Sequence, residues 1–486
     1  MTRQADGNGN GNLEAVFPSS WRGEKVAVVG MGISNTALAR YLLKRGAKLT
    51  CFDRKGPSEL GPVFREFGSQ VAWSLGEDYL GDLPSYKWIF LTPGMRKDDP
   101  AIKAARSGGA FISTEIDLFL HLCRAPVAGI TGSSGKTTTV SMTGAILRES
   151  FPPDRVFVGG NIGQVLLEKA DEIPPDARVV LELSSFQLQL THKSPHVAAV
   201  LNVSPNHLDV HESFQEYVAS KKNILRYQTE RDWAVLNADD PAVARFAGAC
   251  RGRVSWFGLF EDRQNKGRKP EQDSPGAVLR DDTLFLRTDS GAEFPVLKSS
   301  ELPLPGRHNV FDALAAMAIS SLMGAGINAM RRALCDFKGL EHRIEFVAEV
   351  EGVHYYNDSI ATSPDRTLAC LDALRGPLVL ILGGYDKGLP YNELARKVVT
   401  RGIHCVILGE AAPKIRKALI DAGGAHLTHT ETDFERAVRA AAEMAKPGYS
   451  VVLSPACASY DMFSNFEERG RRFKEIVALI GKEKAG

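Results

Sequence analysis

At 486 residues the chain has room for about three domains, and its 44% hydrophobic and 24% charged residues are ordinary for a globular protein. Lysine and arginine number 59 against 58 aspartates and glutamates, which removes any bulk attraction to nucleic acid or to an anionic membrane and makes a compact phosphorylated molecule the expected partner. The seven cysteines (Cys51, Cys123, Cys250, Cys335, Cys370, Cys405 and Cys457) are odd in number, widely spaced and without a Cys-x-x-Cys pair, as in a protein of the reducing cytoplasm.

Residues 2–14 are polar, rich in Gly and Asn and lack the apolar core of a signal peptide, so 1–23 is expected to be a disordered tail. Lys25-Val-Ala-Val-Val-Gly-Met-Gly-Ile-Ser then reads as strand, glycine turn and helix, and a second strand from Lys48 ends on Asp53. The turn carries Gly30 and Gly32 of a dinucleotide fingerprint, but Asn35 stands at the third glycine, so another anionic nucleotide fits it better than a nicotinamide cofactor. Simple packing is the bland alternative. A strand from Trp88 runs into Thr92-Pro93-Gly94, and a helix over 115–122 leads to the first domain boundary, near 125.

Pro126-Val-Ala-Gly-Ile-Thr-Gly-Ser-Ser-Gly-Lys136-Thr137-Thr138 follows, an apolar strand that breaks into glycines and ends on Gly-Lys-Thr before a helix. This is a phosphate cradle in which Lys136 meets the β and γ phosphates and the Thr137 hydroxyl ligates Mg²⁺. Ile130 stands where the strict pattern has its first glycine, so Gly132 is expected to take the turn. Strands over 178–183 and 197–203 predict a larger parallel sheet, interrupted by a polar insertion over 261–277. They end on Glu182-Leu-Ser184-Ser185-Phe-Gln187 and on Asn202-Val-Ser-Pro-Asn-His207-Leu-Asp209-Val-His211. Carboxylate, hydroxyls and imidazole thus emerge at neighbouring strand ends, as Mg²⁺ ligands, as helix caps, or in the His-x-Asp-x-His case as a zinc site without a nearby cysteine or third histidine.

Lys221 and Lys222 lie in a helical segment, and spacing alone reads such a pair as a solvated face. Leu304-Pro-Gly306-Arg-His308-Asn309-Val-Phe-Asp312 opens a helix with groups able either to read an adenine edge or to cap the helix. The uncharged run 313–330 has spanning length, but Ser320, Ser321, Gly324, Gly326 and Asn328 make it a buried helix and its turn. After Gly339 the alternation restarts, with strands from 377, 404 and 449, each leaving into Gly, Ser or Pro turns. The fold class is therefore α/β in three domains, 24–125, 126–338 and 339–486: a Rossmann-like domain, a P-loop ATPase-like parallel-sheet domain and a second Rossmann-like domain. One cleft shared between them is expected to hold the ligands.

Taken in order, the phosphate loop, Gly159-Gly-Asn161-Ile-Gly, Leu-Glu-Leu-Ser-Ser-Phe-Gln, Asn-Val-Ser-Pro-Asn-His-Leu-Asp, Gly-Arg-His-Asn, Gly-Leu-Glu-His342-Arg343, Asn357-Asp358-Ser359 and Ser454-Pro-Ala-Cys-Ala-Ser459 resemble the Mur ligases, from about residue 24 to 481. The resemblance implies a cytoplasmic, monomeric, ATP- and Mg²⁺-dependent amide ligase that adds D-glutamate to UDP-N-acetylmuramoyl-L-alanine in peptidoglycan precursor synthesis, through an acyl phosphate. It implies catalytic roles for Lys136, His207, Lys221 and Arg343, and ATP contacts from Gly132, Ser133, Ser134, Gly135, Lys136, Thr137, Thr138, Asn309, Arg343 and Asp358. Ser34, Asp53, Arg54, Gly94, Asn161 and His207 fall at UDP-substrate positions, and Thr362, Lys387, Ser459 and Phe466 at amino-acid positions. Thr137 and Glu182 resemble ligands of one Mg²⁺, and His207 a ligand of a second. Lys221 takes the family's carbamylated-lysine position, which reverses its reading as a surface residue. One departure stands out: the family's Asp-Ser-Lys-Ala-Thr reads Asp358-Ser359-Ile360-Ala361-Thr362 here, so a cation is missing near the substrate side chain. Lys387, with Arg366, is expected to compensate, and L-glutamate or another amino acid stays open as the alternative substrate. A nucleotide-dependent switch without ligase chemistry is the rival from another class.

Overall fold

The computed structural model describes residues 17–161, 165–204, 213–259, 274–304, 306–374 and 376–485. The chain divides into two compact units, one up to Phe337 and one from Lys338. The first unit holds two sheets. In spatial order the strands of the first are Ala72–Leu75, Lys48–Asp53, Lys25–Val29, Trp88–Leu91 and Phe111–Ser113, all parallel. Val26 to Val29 are fully buried, as an apolar strand covered on both faces must be. The order reverses direction between Lys25–Val29 and Trp88–Leu91, so a crevice opens at their carboxyl ends, where open α/β sheets bind ligands.

The expected tail is shorter than 1–23. Phe17 stacks on Phe90 and meets Phe111 edge-on, and Trp21 is buried against Trp88, so this aromatic segment belongs to the first core.

Among the described residues the second sheet has nine strands. Val156–Gly160, Arg178–Glu182, Val127–Thr131, Val197–Val200, Trp233–Asn237, Arg253–Gly258 and Gly276–Arg280 run parallel. Thr283–Arg287 then turns back antiparallel, and Glu293–Lys298 pairs antiparallel with it, in the sheet that was expected to be parallel. The cause is local. Asp281 and Asp282 both adopt left-handed φ, 43° and 65°, and a two-residue turn of that kind closes a hairpin. The expected insertion over 261–277 overlaps the strand that begins at Gly276, and 260–273 lie outside the described residues. Helix Arg307–Leu322 is buried continuously from Ala313 to Ser320, which explains its uncharged sequence as core, and among the described residues no helix is long and apolar enough to cross a membrane.

Helix Glu115–Leu122, capped by Thr114, joins the two sheets. Its buried Asp117 accepts from Ser113 Oγ at 2.8 Å, and from the backbone N–H and Nδ1 of His192 at 2.7 and 2.8 Å. His192 follows the strand Arg178–Glu182 of the second sheet, so one carboxylate ties both sheets together.

The second unit is a six-stranded sheet ordered Glu345–Val350, Val353–Asn357, Ser450–Leu453, Leu378–Gly383, His404–Leu408 and Thr428–Thr430, with only the first strand antiparallel. Another left-handed pair, Glu351 and Gly352, makes that hairpin. Helix Phe466–Ala485 buries Phe473, Ile476, Val477 and Ile480 on one face.

Candidate active site

The strand Val127–Thr131 ends in the loop Gly132–Gly135, and helix Lys136–Ser150 begins at once. Gly135, not Gly132, adopts the left-handed conformation, with φ 79°. A Cβ there would lie 2.3 Å from Asp312 Oδ1, so both backbone and space demand glycine. Gly132 answers to space alone: a Cβ would stand 3.0 Å from both Leu201 Cβ and Ser134 O. The backbone N–H groups of Ser133 and Ser134 donate to the carbonyl and side-chain oxygens of Asn202, at 3.0 and 2.9 Å. Asn202 therefore braces the loop, and the start of helix Lys136–Ser150 offers the N-terminal end that an anion favours.

Two lysines converge on one carbonyl. Lys136 Nζ and Lys221 Nζ each donate to Gly132 O at 2.9 Å. The adjacent pair Lys221 and Lys222 splits across helix Phe214–Lys222: Lys222 is exposed, whereas Lys221 is 2% exposed, with Nζ 4.5 Å from the centre of the Tyr217 ring. Spacing could not show this, because burial depends on what the helix packs against. Burial, and then the Lys136 charge, push the Lys221 pKa down to about 7. The Tyr217 hydroxyl meets Ser133 Oγ at 2.9 Å, which fixes the helix against the loop.

Glu182 closes the other side. It is buried, its Oε2 accepts from Thr137 Oγ1 at 2.8 Å, and its Oε1 accepts from Asn161 Nδ2 at 3.0 Å. The capping reading of this segment holds for its neighbours instead: Ser184 and Gln187 form a reciprocal cap on Ser185–Leu188. A hydroxyl and a carboxylate oxygen beside a phosphate cradle are hard donors of the kind Mg²⁺ takes, with phosphates completing its shell, so these residues fit the ion. His207, Asp209 and His211 lie outside the described residues.

Helix Arg307–Leu322 carries Asn309 and Asp312, both buried, and Asp312 reaches the phosphate loop beside Gly135. Asp312 Oδ1 accepts from Thr139 Oγ1 at 3.2 Å, so Asp312 supports the phosphate-loop helix.

At the crevice of the first sheet, Asp53 Oδ2 accepts from the Met31 N–H at 2.7 Å and Oδ1 from the Lys55 N–H at 2.9 Å. Asn35, in place of the third fingerprint glycine, donates to Val29 O and Gly30 O and holds the turn from below. Ser34 is half-buried, and Arg54 and Gly94 are exposed. Beside them Ile33 is 84% exposed, an apolar side chain at the mouth of the crevice that sequence reasoning passed over. Its signal was an isoleucine at the first helical position, where the buried face has not yet begun.

In the second unit Arg343 stands exposed between His342 and Ile344, both left-handed at φ 64° and 46°. Asn357 and Glu345 hold this turn through hydrogen bonds to His342 Nδ1 and the His342 N–H. Asp358 accepts from the Ile344 N–H at 3.2 Å and from Ser454 Oγ at 2.7 Å; burial raises its pKa to about 6, with Ser454 and Arg343 opposing. Of the expected amino-acid residues, Phe466 accepts from Ser359 Oγ at 2.8 Å through its carbonyl, and Ser459 is buried. Thr362 donates its N–H to Ile360 O at 2.8 Å, and Lys387 is exposed on the loop after Leu378–Gly383. Arg366 Nη1 donates to Ile360 O at 3.1 Å, so a guanidinium stands at the position that lacks its cation. Arg469 was missed altogether. It is 1% exposed and donates to Ser359 Oγ, Ser359 O, Cys457 O and Ala458 O at 2.9–3.2 Å. The signal was available, because an arginine between Phe466 and Phe473 interrupts an apolar helical stripe.

Comparison with known proteins identifies the family. Residues 24–113 match the Mur ligase MurD-like N-terminal domain, 130–320 the Mur ligase middle domain and 342–457 the Mur ligase glutamate ligase domain. A UDP-N-acetylmuramoylalanine–D-glutamate ligase of Symbiobacterium thermophilum is 50% identical over 458 residues, covering 94% of this chain and 98% of that one. The enzyme of the same name from Acetivibrio thermocellus is 45% identical over 472 residues, covering 96% and 98%. Among solved structures, MurF from Acinetobacter baumannii shares the fold with a TM-score of 0.55 at 17% identity, covering 96% of this chain and 92% of that one. MurC from Thermotoga maritima does so with 0.53 at 18%, covering 94% and 99%. With matches in all three regions and near full-length relatives at such identity, the chain belongs to the Mur ligase family.

Proposed function

We propose that the protein joins D-glutamate to UDP-N-acetylmuramoyl-L-alanine, converting ATP to ADP and phosphate. The relatives that carry this activity in their names match almost the whole chain. The observation in the structure that supports it most is the cluster of Lys136, Thr137, Glu182, Asn161 and Lys221 around one phosphate loop. We assign 24–125 to the UDP-linked substrate, 126–338 to ATP and 339–486 to the amino acid, in a monomeric cytoplasmic enzyme.

The reaction needs little covalent chemistry from side chains. The alanyl carboxylate attacks the γ-phosphorus, ADP leaves, and the resulting acyl phosphate is attacked at carbon by the glutamate amine. The glutamate ammonium gives up one proton to solvent before its amine attacks, and a second as phosphate departs and the amide forms. Lys136 and the first-turn N–H groups hold the phosphate oxygens, and Arg343 supplies a further cation, so the charge spread over the transferring group meets fixed positive charge. Thr137 and Glu182 would hold Mg²⁺, which neutralises phosphate charge when bound. Asn309 is assigned to the adenine, and Asp358 to ATP.

Lys221 is assigned to carbamate formation, in which its neutral amine adds to carbon dioxide and releases one proton. Its low pKa supports this, because at pH 8 about nine-tenths of such an amine is neutral, against well under one-hundredth for an ordinary lysine. The carbamate, with His207, would hold a second Mg²⁺. Ile33, Ser34, Asp53 and Arg54 are assigned to the uridine end of the substrate, and Gly94, Asn161 and His207 to the rest. Thr362, Lys387, Ser459 and Phe466 are assigned to glutamate, with Arg366 supplying the cation that Ile360 cannot.

The test is phosphate release with ATP, Mg²⁺ and UDP-N-acetylmuramoyl-L-alanine, in the presence of D-glutamate, L-glutamate or no amino acid. Release with D-glutamate alone is expected. Preference for L-glutamate would move the error to the second unit, and release independent of any amino acid would end the ligase reading.

A further inference from the structure

Lys97 follows the Thr92-Pro93-Gly94 turn at the carboxyl edge of the first sheet. That turn stands at the crevice, because the Thr92 N–H donates to Val29 O at 2.8 Å, at the end of the strand that runs into the glycine turn. A lysine on such a loop ordinarily extends into water. Lys97 does the opposite. Its Nζ turns back to donate to Pro93 O at 2.6 Å and stands 5.6 Å from the centre of the Phe186 ring, on the short helix that follows Glu182 in the second sheet. Its neighbour Arg96 is exposed and paired with Asp98, whereas among the described residues Lys97 has no ion pair.

Holding an ammonium there is unfavourable. Burial lowers the Lys97 pKa to about 8, with Glu216 opposing more weakly, and Glu216 itself already accepts from Gln189 Nε2 and Ser220 Oγ. One hydrogen bond to an uncharged carbonyl does not offset both desolvation and the lost freedom of a four-carbon side chain. Two N–H donors of the ammonium remain for something else. The position says what: Lys97 bridges the crevice of the first sheet, where Ser34 and Asp53 lie, and the strand end of the second sheet, where Glu182 holds Asn161. A ligand with its nucleoside at the former and its sugar at the latter places its diphosphate in between.

We propose that Lys97 binds the diphosphate of the UDP-linked substrate, as a cation held ready between the two sheets. The assignment rests on the proposed function and adds a residue to it. A diphosphate is the chemistry that suits a half-buried ammonium with free donors, since charge-assisted hydrogen bonds to it replace the hydration that folding removes.

The experiment compares UDP and uridine as ligands by titration calorimetry, using the full-length protein and its Lys97→Met and Lys97→Arg variants, with thermal unfolding as the check on folding. Lys97→Met should weaken UDP by about 10- to 100-fold, the range of one charge-assisted hydrogen bond, and leave uridine unchanged. Lys97→Arg should restore most of the loss. In turnover, Lys97→Met should raise KM for UDP-N-acetylmuramoyl-L-alanine and leave KM for ATP alone. Equal losses for UDP and uridine would make Lys97 a strut between the sheets and overturn the assignment, as would no loss of UDP. If the unaltered protein binds neither ligand, the UDP-substrate reading falls, and the Lys97 assignment with it.

Discussion

Replacing Arg469 by Met tests how the second unit shapes its ligand site. The guanidinium makes four hydrogen bonds, to Ser359 Oγ, Ser359 O, Cys457 O and Ala458 O, all buried. Removing it orphans those acceptors at about 1–2 kcal/mol each, or roughly 4–8 kcal/mol together. An opposing term is large. Burial without a bonded carboxylate holds the Arg469 pKa down to about 10, which corresponds to roughly 3 kcal/mol that the substitution returns. The net loss should be about 1–5 kcal/mol, which for a unit of this size lowers Tm by roughly 3–15 °C. Function should suffer more selectively than stability. Arg469 joins the Asp358–Ile360 loop to the Cys457–Ser459 loop, so KM for glutamate should rise at least about tenfold, whereas KM for UDP-N-acetylmuramoyl-L-alanine should not move. Arg469→Lys, with three donors and no planar fork, should recover part of the stability and less of the KM. Thermal unfolding and steady-state kinetics read both effects. If Arg469→Met keeps its Tm and its glutamate KM, the four hydrogen bonds do not organise the site.

Lys136→Ala should lower kcat by about 10²–10³-fold, the scale for losing one electrostatic contact to a transition state, and near-normal turnover would refute its role. Lys221→Ala should be inactive and partly rescued by a short-chain carboxylate; ¹³C-bicarbonate should label the unaltered protein but not this variant, and full unrescued activity would remove the carbamate. The pH sense follows from its lowered pKa: labelling should rise as pH climbs through about 7, whereas an ordinary lysine would remain protonated to near 10. Lys136→Met, by removing the neighbouring cation, should move that rise to higher pH. For the glutamate side chain, Arg366→Ala and Lys387→Ala should each raise KM, and unchanged KM in both would leave the loss of a cation at Ile360 without compensation.

The three sheets were legible because their strands are apolar runs that end on turn residues, and a strand buried on both faces has no other composition open to it. The phosphate loop was legible for a similar reason: its function is carried by backbone geometry, and glycine at Gly135 is written in the sequence as plainly as it is needed in space. The antiparallel additions were not. Asp281-Asp282 and Glu351-Gly352 are turns only by virtue of left-handed φ, and nothing in an Asp-Asp pair marks it as such against a surface loop.

The site's titrating groups were hidden for a deeper reason. Lys221 and Lys222 are the same residue one position apart, and Lys97 and Arg96 are neighbouring cations on one loop, yet one member of each pair is solvated and the other desolvated. The difference comes from Gly132 O and the Tyr217 ring in one case and from Pro93 O and the Phe186 ring in the other. In both, at least one of those groups lies far away in sequence. A pattern reports which residues lie on an element, but a pKa reports what that element packs against. Both lysines depart from ordinary behaviour in the same direction, and their surroundings separate their roles. Lys221 stands beside a second ammonium, which favours the neutral amine that the proposed carbamate requires, whereas the Glu216 charge helps keep Lys97 protonated for the proposed anion.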